Sequence, residues 1–333
     1  MDLKLSSLLC FTLLLSSTIF IPALSELCNP QDKKVLLEIK AALNNPYILI
    51  SWNPDVDCCT TWNNVECDPT TNRITSLTVF GDNRLTGQIP AQVGDLPYLE
   101  TLVLRKLPNL TGPIQPSIAK LKHLKWLRLS WNGLSGSVPG FLSQLKNLTF
   151  LELNFNNLTG SIPSSLSQLP NLASLRLDRN KLTGHIPSSF GQFVGVVPDL
   201  YLSHNQLTGK IPTSLGKMDF NRIDLSRNQL EGDASFLFGL NKTTEILDLS
   251  RNILEFDLSK VEFTKSLISL DLNHNMLTGS IPDELTQVKL QFFNVSYNRL
   301  CGQIPVGGKL QSFDNTSYFH NQCLCGTPLP SCK

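Results

Sequence analysis

Leu148-x-x-Leu151-x-Leu153-x-x-Asn156-x-Leu158-x-Gly160-x-Ile162-Pro163 is followed by Leu172-x-x-Leu175-x-Leu177-x-x-Asn180-x-Leu182-x-Gly184-x-Ile186-Pro187, the same pattern 24 residues on. Working outward, the asparagine recurs as Asn132, Asn156, Asn180, Asn205, Asn228, Asn252, Asn275 and Asn298, at separations of 24, 24, 25, 23, 24, 23 and 23. Two earlier units carry Leu85 and Leu110 at the leucine position that follows the asparagine, which makes ten units. A length of 333 residues alone would suggest two ordinary domains, but a sustained repeat of this period predicts a solenoid instead.

Each part of the repeat has a physical reason. In L-x-L the alternate leucines of a short strand face one side, so the residue between them faces solvent. One unit cannot bury its apolar face, whereas stacked neighbours share one continuous core. The asparagine amide is suited to satisfying backbone groups where the chain leaves the strand. The glycine accommodates positive φ or a close backbone approach, and the proline limits how far the next segment can pair. The expected fold is α/β: a right-handed β-α superhelix bent into a horseshoe, with a parallel sheet on its concave face. Glu231-Gly232-Asp233-Ala234 and Leu254-Glu255-Phe256-Asp257 lack G-x-I-P, so any second sheet is expected to be interrupted there.

A stack exposes apolar edges at its ends unless it is capped. Asn29-Pro30-Gln31-Asp32 reads as a helix start, and Val35, Leu36, Ile39, Ala42 and Leu43 form a stripe at helical spacing. Asn44-Asn45-Pro46 ends that helix. Residues 3–24 are apolar and hydroxyl-rich behind Lys4, and Ala23-Leu24-Ser25 supplies small residues, which reads as a secretory leader. A membrane anchor is disfavoured because the uninterrupted apolar run falls well short of the ~20 residues of a span. The expected organisation is a leader over 1–25, an N-terminal cap over 26–72, ten repeats over 73–305 and a C-terminal cap over 306–333.

Cys10 leaves with the leader, so eight cysteines remain, an even number suited to an oxidising compartment. They fall at the two ends only: Cys28, Cys58, Cys59 and Cys67, then Cys301, Cys323, Cys325 and Cys332. Each group admits three pairings. Cys28–Cys58 with Cys59–Cys67, and Cys301–Cys323 with Cys325–Cys332, are favoured because neighbouring cysteines rarely pair. A zinc site competes poorly, since no histidine accompanies the cysteines at ligand spacing, and no metal or cofactor is expected. With 28 Lys+Arg against 27 Asp+Glu there is no bulk attraction to nucleic acid or an acidic membrane.

The solvent-facing positions can be read directly. The residue between the two leucines is Thr78, Val103, Arg128, Glu152, Arg176, Tyr201, Asp224, Asp248, Asp271 and Asn294 in turn. The residue before the asparagine is Trp131, Phe155, Arg179, His204, Arg227, Arg251, His274 and Tyr297. Parallel strands lie about 4.8 Å apart, so each series forms a column. One column turns acidic towards the C-terminus. The other is cationic from Arg179 to His274, with aromatics at both ends. L-D-L-S-x-N is a common string in such repeats, so the aspartates could be consensus, offset by Arg227 and Arg251 alongside. Against that, mixed charge edged by arginine and aromatic residues suits protein recognition.

The repeat L-x-x-L-x-L-x-x-N-x-L-x-G-x-I-P resembles the plant extracellular class of leucine-rich repeat. The ten units, the Cys58-Cys59 pair, the stretches Val93-Gly94-Asp95-Leu96-Pro97-Tyr98-Leu99 and Phe292-Phe293-Asn294-Val295-Ser296-Tyr297-Asn298, and the ending from Gly307 to Gly326 narrow the likeness. The chain beyond the leader is similar throughout to the polygalacturonase-inhibiting proteins of plants. That resemblance implies a secreted, monomeric cell-wall protein whose concave face binds fungal endopolygalacturonases, with cell-wall pectin as a further partner. Basic substrate-binding groups of such an enzyme would meet the aspartate column, and its carboxylates the arginines and histidines. His204 and His274 are expected to gain charge in a mildly acidic wall.

Six N-x-S/T sequons are present, at Asn109, Asn147, Asn157, Asn241, Asn294 and Asn315. Five suit flanks, turns or the cap. Asn294 falls on a concave strand, where a glycan would obstruct binding, so it is expected either bare or at the end of the contact surface. Among rival functions, catalysis lacks G-x-S-x-G, a Gly-rich phosphate loop and H-E-x-x-H. Asp224 and Asp248 could pair as in glycoside hydrolysis, but on an open ribbon. A receptor ectodomain would continue into a span and kinase, whereas this sequence ends at Lys333. Ice binding needs a flat array of hydroxyls or asparagines, and the columns here are charged and aromatic.

Overall fold

The computed structural model describes residues 27–333, so the leader read over 1–25 lies outside the described residues. The N-terminal cap forms around the helix Pro30–Ala42. Asn29 caps it by accepting from the backbone N–H groups of Gln31 and Asp32, and Pro30 supplies a first residue that needs no donor. Asn44 and Asn45, at φ 60° and 51°, turn the chain out of the helix. Asp32 is buried and takes both Nε and Nη2 of Arg73 at 2.8 Å, plus the N–H of Ile74 at 3.0 Å. That charge-assisted fork ties the cap helix to the first repeat strand. The favoured bridges Cys28–Cys58, Cys59–Cys67, Cys301–Cys323 and Cys325–Cys332 are the ones formed.

The concave face is an 11-stranded sheet. Val65–Cys67 pairs antiparallel with Ile74–Phe80, and every later strand joins its predecessor in parallel. Most of these strands have three residues, of which the central leucine points inward and is fully buried, as with Leu127, Leu151, Leu175 and Leu200. The opposite face consists of short 3-10 turns such as Ser164–Gln168 and Ser188–Gln192. The proline of G-x-I-P stands immediately before each of these, with Pro163 and Pro187 at φ −66° and −61° and extended ψ. Its fixed φ thus ends the strand and starts the turn. Turn packs on turn closely: a Cβ on Gly191 would lie 2.3 Å from that of Ser214.

Between the layers runs the asparagine ladder. The Asn180 amide donates to the carbonyls of Leu153 and Leu177, both at 3.0 Å, and accepts from the N–H of Leu158 at 3.0 Å. Asn205, Asn228, Asn252, Asn275 and Asn298 repeat these bonds. The ladder does not stop with the repeats. Asn321 lies 23 residues after Asn298, donates to Val295 and Tyr318, and accepts from Leu300 N–H. The C-terminal lid is thus built on repeat logic, which the loss of leucines after Pro305 hides in the sequence. Tyr318 fills the leucine position there, fully buried, with its hydroxyl on the Leu310 carbonyl at 2.6 Å.

A second sheet of eight strands runs beside the first, from Gly87–Gln88 to Ile253–Leu254. The interruption expected at Glu231-Gly232 does not occur: Gln229–Gly232 pairs with both neighbours. Gly232 keeps the left-handed backbone of the pattern, φ 76°, and the residues missing from this unit lie after the strand. In the next unit Phe256 replaces that glycine and the eight-stranded sheet ends; beyond it come an isolated bridge, Asp257 to Thr278, and a separate parallel pair, Cys301–Gln303 with Cys323–Cys325. Loss of Ile-Pro alone, as in the Gly232 unit, therefore does not interrupt this sheet.

Candidate functional site

Register places the first column as read: Val103, Arg128, Glu152, Arg176, Tyr201, Asp224, Asp248, Asp271 and Asn294 are successive partners across the concave sheet. The second column has a backbone signature. Trp131, Phe155, Arg179, His204, Arg227, Arg251, His274 and Tyr297 all have φ between 52° and 60°. The chain must swing through this left-handed step so that the next residue, the ladder asparagine, faces inward. Lys106 and His320 share it, at φ 54° and 57°, and extend the column by one rung at each end.

The middle of the two columns encloses an open hollow of about 380 Å³. Asp178, Asp224, Asp248 and Asp271 line it together with Arg179, Arg227, Arg251 and His204. The three column aspartates bond along their own strands: Asp224 accepts from Ser226 N and Oγ, Asp248 from Ser250 N, and Asp271 from Asn273 N. No arginine comes within 4 Å of these carboxylates among the described residues, so the expected pairing with Arg227 and Arg251 is one of field, not contact. Burial, and then the Asp224 charge, push the Asp248 carboxyl up to about 6. Burial also raises Asp271 and Asp178. The histidines depart from expectation. Burial first, then Arg179 and Arg227 beside His204, and Arg251 and Arg227 beside His274, hold both below the ordinary imidazole value. A mildly acidic medium therefore charges them less readily than their type suggests.

Towards the N-terminal end the face is aromatic. Trp131 and Phe155 stack with centroids 3.5 Å apart, and the Arg179 guanidinium lies 4.8 Å over Phe155. Arg176 lies 4.4 Å over Tyr201. Val103 and Glu152, read as solvent-facing, are each only 9% exposed. Glu152 is occupied in holding Arg128 at 2.7 Å. A third series escaped the sequence reading: Trp126 and Phe150 pack 4.7 Å apart towards one end of the sheet, and Phe292 holds the same strand position at the other end, beyond non-aromatic residues such as Ser174, Ile246 and Ser269. Trp126 and Phe292 are 44% and 45% exposed. Strand alternation carried one step back from the L-x-L would have found them. Of the sequons, Asn109, Asn147, Asn157, Asn241 and Asn315 are exposed away from the hollow, and Asn294 stands on the concave strand Phe292–Asn294.

Comparison with known proteins agrees with this architecture. The profile described as Leucine rich repeat N-terminal domain matches residues 29–68, and leucine-rich-repeat profiles match 122–182, 199–218 and 266–288. The chain is 74% identical over 333 residues to a polygalacturonase inhibitor of Pyrus communis, covering 100% of both. It is 71% identical over 310 residues to polygalacturonase inhibitor 1 of Arabidopsis thaliana, covering 92% of this chain and 93% of that one. A solved plant ice-binding protein is 59% identical, with a TM-score of 0.90 and coverage of 92% and 98%.

Proposed function

Because the chain belongs to the polygalacturonase inhibitor family of leucine-rich-repeat proteins, we propose that it binds fungal endopolygalacturonases through its concave face and limits pectin degradation in plant defence. The inhibitor role follows from family membership. The concave contact, the fungal target and secretion to the cell wall are our reading. Secretion is supported by the leader-like residues 1–25 and by four disulfides at the caps.

The observation that carries the concave contact concerns charge that the fold does not need. Asn294 sits in the aspartate column and accepts from Ser296 N and Oγ at 3.0 and 2.7 Å, the same bonds Asp224 takes from Ser226. A neutral amide therefore does the structural work of this position. Three neighbouring carboxylates without direct cation partners raise the energy of the free protein and would be relieved by a cationic partner surface. The arginine column beside them would meet carboxylates of the same partner. Inhibition assays of the pure protein against a panel of fungal endopolygalacturonases test this. Absence of inhibition across the panel would overturn it. Pectin depolymerisation by the protein itself, abolished in Asp248→Asn, would replace it with catalysis.

Ice binding is the second reading, favoured by the likeness to the ice-binding structure and by one hydroxyl column on the second sheet. Thr111, Thr159 and Thr208 each bond back to a glycine carbonyl of the preceding unit. Thermal hysteresis in a solution of the protein would support it.

A further inference from the structure

Aromatic rings close the C-terminal end of the concave face, and one of them belongs to a segment whose structural task is already done by a neighbour. Tyr297 is sandwiched between His274, centroids 4.1 Å apart and 17° between planes, and His320, 4.2 Å and 27°. Phe319 meets His320 edge-on at 6.2 Å. Tyr297 is 45% exposed and Phe319 37%. The lid over the last strand needs an apolar plug, and Tyr318 supplies it, fully buried. Its neighbours Phe319 and His320 turn outward, so shielding the core does not account for them.

We infer that the polygalacturonase-binding surface runs past the last repeat onto the C-terminal cap, where Tyr297, Phe319 and His320 form an aromatic anchor. This rests on the inhibitor reading and extends its contact surface. Continuity supports it: His320 stands on the same left-handed step as Arg227, Arg251, His274 and Tyr297, so the column reaches the cap without a break. Pre-organisation supports it as well. Rings already stacked lose little freedom when a partner arrives, and exposed aromatic residues of this type dominate interface energetics. The enzyme surface opposite would be apolar where it meets the rings and cationic where it meets the aspartates. Asn294 shares the last strand with Phe292, so a glycan there would cover the approach to the anchor.

The test compares Tyr297→Ala, Phe319→Ala and His320→Phe with Leu240→Ser, which is 61% exposed and outside these columns, as a control. Inhibition constants against fungal endopolygalacturonases, thermal unfolding and glycopeptide mapping are read for each. Tyr297→Ala and Phe319→Ala should raise the inhibition constant at least tenfold with unfolding intact. Leu240→Ser should stay near wild type, His320→Phe, which keeps a ring in the stack, should weaken inhibition less than either alanine variant, and Asn294 should be bare. If Tyr297→Ala fails to fold, Phe319→Ala outside the sandwich decides. Wild-type inhibition unchanged in Phe319→Ala, or full glycan occupancy at Asn294 of an inhibitory protein, would overturn the anchor alone. A wild-type protein that inhibits no enzyme would overturn the inhibitor reading and the anchor with it.

Discussion

Asp224 and Asp248 face each other in register on neighbouring strands, and no salt bridge relieves either one among the described residues. Asp248, flanked on its other side by Asp271, titrates near 6 in the folded chain, against about 3.9 for an ordinary aspartate. A raised carboxyl favours folding while it holds its proton. That contribution is whole below about pH 4 and is lost as pH climbs through 6.

Asp248→Asn should therefore stabilise the protein at pH 7 by roughly 1 kcal/mol, after allowance for solvent screening, and flatten the decline between pH 4 and 6. Asn294 shows that the amide fits this column. Urea unfolding at several pH values checks it. A variant less stable than wild type at pH 7 would mean the carboxylate is needed structurally.

Asn180→Ala removes a buried amide and strands the Leu158 N–H, while the Leu153 and Leu177 carbonyls keep their bonds from Asn156 and Asn205. The expected loss is about 1–3 kcal/mol, since the orphaned N–H keeps its desolvation penalty. Hydrogen exchange should show the damage centred on the units that share those bonds, because repeats couple chiefly to their neighbours. Uniform loss of protection along the stack would contradict this.

These two cases mark what the sequence makes legible. Alternation in L-x-L and the recurring asparagine determine register, so the aspartate and arginine columns stand where they were read. Electrostatics were less legible. Spacing alone could not say that Asp224 bonds Ser226 instead of Arg227, or that burial holds His204 and His274 below their ordinary value. Side-chain reach hid Glu152 beneath Arg128. The continuation to Asn321 was obscured because Tyr318 stands where a leucine was sought, although the 23-residue spacing was present.

Arg227→Gln combined with Arg251→Gln should weaken inhibition at least tenfold, about 1.4 kcal/mol, and charge reversal to Glu should weaken it further. Both arginines are exposed, and neither makes an ion pair among the described residues, so unfolding should remain cooperative. Arg179→Glu belongs in the same series but also removes the contact over Phe155. Inhibition constants unchanged in the double variant would remove this column from the contact surface.

The pH dependence of inhibition separates the two columns. On acidification from pH 7 to 5, Asp248 takes up a proton near 6, while burial and the neighbouring arginines make His204 and His274 harder to protonate than ordinary imidazoles. Proton uptake at Asp248 thus removes negative charge from the hollow. If the aspartates engage cationic groups of the enzyme, inhibition weakens through this range in wild type. The step is lost in Asp248→Asn and persists in His204→Gln, because the imidazole is not its source. Binding must be measured directly by titration at each pH, since the enzyme's own activity also changes. A step that vanishes in His204→Gln and survives in Asp248→Asn would assign the switch to the imidazole and remove the aspartates from recognition.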